Sequence, residues 1–128
     1  MTIASRVGLL ICQDLLFISK VTGIAGSLGY QIETANLKQG FIKAAVGGYA
    51  CIIFDLSLQP FAVADLTRTL RDTPPTPVIA FGAHVDTKRL AEARAAGCRE
   101  VLPRSQFNMQ MPEILTRYLG PPEEAPQT

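Results

Sequence analysis

Ala50-Cys51-Ile52-Ile53-Phe54-Asp55 is an unbroken apolar run that closes on a carboxylate. Such a run, of strand length and without polar alternation, belongs to a strand covered on both faces. The isoleucines at its centre, β-branched, favour the same reading and place a strand over Ala50 to Phe54. Upstream, Arg6 to Cys12 is a second run of this kind. Between the two, Asp14 is placed to cap a helix whose apolar positions Phe17, Ile18, Val21, Ile24, Ala25 and Leu28 recur at helical spacing, with Gly29 as terminator. Tyr30, Ile32 and Thr34 then alternate with polar neighbours as a half-buried strand does, and Leu37 to Val46 returns to helical spacing before Gly47 and Gly48.

The same alternation continues downstream. Pro60 suits the first turn of a helix carrying Phe61, Ala64, Leu66 and Leu70. After the breaker segment Asp72 to Pro77 comes a strand, Val78 to Phe81, and Asp86 can cap a helix of strong helix formers, Leu90 to Ala96, ended by Gly97. Glu100 to Pro103 reads as a short last strand, followed by one helix to about Leu119 with Ile114, Leu115, Tyr118 and Leu119 on one side. Gly120, Pro121 and Pro122 end it. The expected layout is one domain over residues 1–119 and a polar tail, 120–128, that is expected to be disordered.

Five strands alternating with five helices predict an α/β three-layer sandwich, because parallel strands need crossovers and right-handed crossovers place helices on both faces. A flavodoxin-like parallel sheet of order 2-1-3-4-5 satisfies this alternation, and its functional crevice lies beyond the carboxyl ends of strands one and three. The residues the topology sends there are Cys12, Gln13, Asp14, Asp55, Gly82, Ala83, His84 and Arg104.

Composition narrows the function. With 12 Lys+Arg against 11 Asp+Glu in 128 residues, the chain lacks the field that would hold nucleic acid or an anionic membrane surface. No apolar run is long enough to span a bilayer, and the N-terminus lacks the pattern of a signal peptide, so a cytoplasmic location is expected. The three cysteines, Cys12, Cys51 and Cys98, are odd in number and widely spaced, which suits reduced thiols rather than disulfides or a zinc site. The single histidine, His84, cannot assemble a multi-histidine metal centre. The glycines at 23, 26 and 29 have a superficial phosphate-loop spacing but fall inside a helix pattern, where small residues permitting close helix packing are the expected reason.

Cys51-Ile-Ile-Phe-Asp55 resembles the strand that presents the phosphate-accepting aspartate in receiver domains of two-component response regulators. Ala95-Ala96-Gly97-Cys98-Arg99-Glu100-Val101-Leu102-Pro103-Arg104 resembles the same family's approach to strand five and its terminal lysine, and the likeness covers roughly residues 5–119. It implies Asp55 as the phospho-acceptor position. It also implies departures. The two acidic residues that hold Mg2+ in the family are matched by Cys12 and Gln13, with Asp14 one residue beyond. A thiol and a neutral amide replace two hard oxygen ligands poorly, so Mg2+ binding is expected to be weak or absent, and no other cofactor is implied. Phosphoryl transfer relies on that metal for charge neutralisation. The family's hydroxyl residue after strand four is matched by Gly82, its lysine by Arg104 and its aromatic switch residue by Val101.

The expectation is a pseudo-receiver, non-enzymatic, in which Asp55 is vestigial and paired permanently with Arg104. It would signal by contact with another protein, such as a histidine kinase or an output protein, or with a second copy, through helix four, strand five and helix five. Lys88, Arg89, Arg94 and Arg99 near that face would either meet an acidic partner or form an ordinary solvated surface. Two alternatives remain from the sequence: a working phosphorelay receiver loaded on Asp55 by a histidine kinase, and a flavodoxin-like domain that binds a small ligand, with His84 or Cys12 recruited. Cys12 near the start of helix one would be either an activated thiol or a buried inert one.

Overall fold

The structure is a computed structural model describing residues 6–58, 62–70 and 75–121. Five strands, β1 (Val7–Ile11), β2 (Gln31–Ala35), β3 (Cys51–Asp55), β4 (Val78–Gly82) and β5 (Glu100–Pro103), form one parallel sheet of order β2-β1-β3-β4-β5. The helices are α1 (Leu15–Ser27), α2 (Leu37–Val46), α3 (Ala62–Thr69), α4 (Thr87–Ala95), α5 (Arg104–Met109) and α6 (Met111–Leu119). Pro60, Phe61, residues 71–74 and the tail from Pro122 onward, which the sequence assigned to a helix start, a breaker and a disordered end, lie outside the described residues.

Every residue of β3 and β4 is buried, as their apolar runs require of strands covered on both faces. Alternation along each strand sorts the core into two layers. Leu10, Ile53, Ile79 and Phe81 face α1, α5 and α6, meeting Phe17, Val21, Phe107, Ile114 and Leu115. Leu9, Ile11, Ile52, Phe54 and Ala80 face α2, α3 and α4, meeting Ala44, Val63, Leu66 and Leu90. β2 has one paired neighbour and stays largely wet, with Ile32 and Ala35 half-buried and Thr34 exposed where the alternation had placed it half-buried.

Three expectations need correction. The helix expected from β5 to Leu119 is two helices, so the described residues carry six helices rather than five. Gln110, at φ −102° and ψ 13°, breaks it. Pro112 explains the break: it has no N–H to continue the α5 ladder, and its ring would press on the carbonyl four residues back, whereas the first turn of a new helix accepts it. Next, β1 stops at Ile11 and β3 runs on to Asp55, which puts Cys12 beyond one strand end and Asp55 inside the other. Finally, Gly23 and Gly26 do not serve close packing. A Cβ built on either meets nothing within 4 Å.

Close packing by a glycine occurs instead on α2. A Cβ on Gly40 would lie 2.6 Å from Cδ1 and Cγ1 of Ile11, which is fully buried on β1. Gly40→Ala is therefore expected to destabilise by about 1–3 kcal/mol through overpacking. Gly23→Ala, in open space within α1, should stabilise by about 0.5–1 kcal/mol. Urea denaturation of the two variants checks both signs.

Candidate functional site

The sheet delivers its chemistry at the carboxyl ends of β1, β3, β4 and β5. Ile11 pairs with Phe54, Asp55 with Phe81 and Gly82 with Pro103, so Cys12, Asp55, Gly82 and Arg104 arrive side by side although up to 92 residues separate them. β1 has β2 on one side and β3 on the other, so the crevice lies where the winding direction changes.

Asp55 is the buried member, its side chain only 2% exposed. Oδ1 accepts from the backbone N–H of Ser57 at 2.9 Å and from the Ser57 hydroxyl at 2.8 Å, a local turn that the Asp-Leu-Ser order encodes. Oδ2 accepts from the Cys12 thiol at 3.4 Å and from Arg104 Nη2 at 3.5 Å. Both oxygens are thus engaged within the protein.

Arg104 is the centre of the arrangement. Nη1 donates to Asp14 Oδ2 at 3.1 Å while Nη2 reaches Asp55, so one guanidinium links two carboxylates. Its carbon stands 4.8 Å from the ring centre of Phe17 and 5.2 Å from that of Phe81. Those rings stack at 4.5 Å, and Phe107 closes the cluster at 5.7 and 5.1 Å. A planar guanidinium can stack on a ring and aim two nitrogens apart, which a lysine ammonium cannot do. The expected Asp55–Arg104 pair is present. Sequence reasoning placed Asp14 in the crevice and gave it the cap of α1, but did not foresee its pairing with Arg104. Asp14 does cap α1, accepting from Leu16 and Phe17 N–H through Oδ1, and it turns its second oxygen to Arg104.

The remaining predicted residues divide. Cys12 is buried, and its thiol is pushed up to about 11, chiefly by desolvation and further by the neighbouring Asp55 charge. This is the inert thiol, not the activated one. Gln13, Ala83 and His84 are exposed, and no hydrogen bond joins them to Asp55. Gly82 is tight: a Cβ there would sit 3.3 Å from Cβ and Cδ1 of Leu56. Val101 is half-buried and packs on the α2–α3–α4 side. Of the four basic residues near α4, Arg89 pairs with Asp86 at 3.2 Å, while Lys88, Arg94 and Arg99 are exposed.

The donor set does not fit Mg2+. A hard divalent ion needs several open oxygens in octahedral array, whereas Asp55 gives both of its own to Ser57, Cys12 and Arg104, and Asp14 gives its own to α1 and Arg104. No described helix is long and apolar enough to cross a membrane.

No protein-family model matches the sequence, and no curated protein matches it. Solved structures do match the fold. The receiver domain of a sensor histidine kinase from Pseudomonas aeruginosa PAO1, solved with magnesium in its active-site cleft, is 20% identical with a TM-score of 0.75, over 92% of this chain and 100% of that one. A response regulator receiver domain from Methanospirillum hungatei is 15% identical, with a TM-score of 0.75 over 91% and 94%. An orphan response regulator of Helicobacter pylori is 11% identical, with a TM-score of 0.72 over 90% and 97%. The chain has the receiver fold.

Proposed function

We propose that this receiver-fold chain is a signalling domain that works by protein contact, without phosphorylation and without catalysis of its own. The observation that carries the reading is the Arg104 bridge between Asp55 and Asp14. It supplies internally, as a fixed cation, the charge neutralisation that a metal and a phosphoryl group provide transiently in a working receiver. Cys12 and Gln13, where two acids would be needed, support the same reading.

The partner on this reading is another signalling protein, a histidine kinase or an output protein, or a second copy, engaged through α4, β5 and the α5–α6 stretch that stands where a single fifth helix was expected. Val85, in the loop entering α4, and Met109, the last residue of α5, hold large apolar side chains 75% and 80% exposed. Neither polyanion nor membrane binding has support in the near-balanced charge. The domain is expected to act in the cytoplasm.

Incubation with Mg2+ and acetyl phosphate, followed by intact mass, tests the central claim. The expected mass is unchanged, and amide resonances should not respond to Mg2+ at concentrations up to roughly 10 mM. A phosphoryl adduct that disappears in Asp55→Asn would establish the working receiver instead.

A further inference from the structure

We infer that the groove between the start of α1, the β4–α4 loop and α5 binds a small organic anion with a compact apolar body. The groove is open to solvent and offers about 500 Å³, within the range of small-molecule sites, roughly 300–1,000 Å³. Leu16, Phe17 and Ala83 supply its apolar lining.

Six polar side chains line it: Asp14 and Arg104, which pair with each other, and, from three separate elements, Lys20 of α1, His84 of the loop, and Ser105 and Asn108 of α5. Among the described residues, Lys20, His84, Ser105 and Asn108 make no side-chain hydrogen bond or ion pair. A convergent set of unused donors over an apolar lining is the pattern of a binding site, whereas an ordinary surface scatters such groups.

The charge selects the ligand's sign. Asp14 is the single carboxylate in the lining, and its oxygens already serve the α1 amides and Arg104. A cation entering the groove would have to break those contacts. An anion meets Lys20 Nζ and the Asn108 and Ser105 donors without displacing anything, and its apolar body covers Leu16 and Ala83. An aryl carboxylate or aryl phosphate has this chemistry. The inference does not depend on whether Asp55 accepts a phosphoryl group, and its test involves no phosphodonor.

Amide-resolved NMR titration of the whole chain with benzoate and phenyl phosphate, against benzylamine and inorganic phosphate, decides it. The expected result is saturable shifts at Leu16, Lys20, His84 and Asn108 with the two aryl anions, weakened about fivefold by Lys20→Ala, at an exposed position, or by Asn108→Ala, at a half-buried one. Benzylamine should not bind, and inorganic phosphate, with no apolar body, should bind at least about tenfold more weakly. Absence of saturation by roughly 10 mM aryl anion, shifts centred elsewhere, equal binding of benzylamine, or equal binding of inorganic phosphate would each overturn the assignment.

Discussion

Arg104→Ala is expected to lower stability by about 2–3 kcal/mol and the melting temperature by roughly 10 °C. Removing one partner of a buried pair costs up to about 5 kcal/mol because the other charge is stranded, and Asp55 is the stranded one here, with its side chain 2% exposed. Two features reduce the loss. Arg104 is itself 36% exposed, so its charge is partly screened, and Ser57 continues to donate twice to Asp55. The complementary substitution behaves differently. Asp55→Asn keeps an oxygen for Ser57, removes the buried charge and leaves Arg104 on Asp14, so its effect should stay within about 1 kcal/mol. Thermal denaturation of the two variants side by side reads this asymmetry. Equal melting temperatures for Arg104→Ala and the parent protein would mean that the bridge contributes nothing.

Phe81→Ala should cost about 3–5 kcal/mol, near 15 °C in melting temperature, as for other deletions of a buried aromatic ring. Phe81 is fully buried, stacks on Phe17, touches Phe107 and lies beneath the Arg104 guanidinium. The substitution therefore opens a cavity and also removes one of the two rings under the cation. Phe81→Leu separates the contributions. It refills most of the volume, so stability recovers to within about 1.5 kcal/mol of the parent, while the ring remains missing. Urea denaturation measures the first effect. Arg104 side-chain resonances, freed from the ring current of Phe81 in both variants, report the second.

The sheet was legible because buried parallel strands are written as uninterrupted apolar runs, and β1, β3 and β4 are such runs. β2 was the weakest, since an edge strand buries little and its alternation carries little signal. Asp14 and Asp86 were correctly placed as caps, because a cap is a local contact written in neighbouring residues. The break at Gln110 was written too, in Pro112, but the apolar spacing through Ile114 and Leu119 masked it.

Site reasoning succeeded where topology alone dictates adjacency, as for Asp55 and Arg104 at two strand ends. It failed where a residue plays two parts. Asp14 was accounted for by one oxygen, and nothing in the order of residues says where the second points. The Phe17, Phe81 and Phe107 cluster was equally hidden, since each phenylalanine reads as ordinary core and their meeting under Arg104 depends on three-dimensional packing.

The crowding at Gly82 bears on redesign as well as on mechanism. A side chain placed there begins 3.3 Å from Leu56, so a hydroxyl at position 82 fits only where Leu56 gives by a few tenths of an ångström. On the reading proposed above, a hydroxyl at position 82 brings no gain unless positions 12 and 13 carry acids as well. Conversion of this crevice to acyl-phosphate chemistry would therefore take several coordinated substitutions, and no single one is expected to install it.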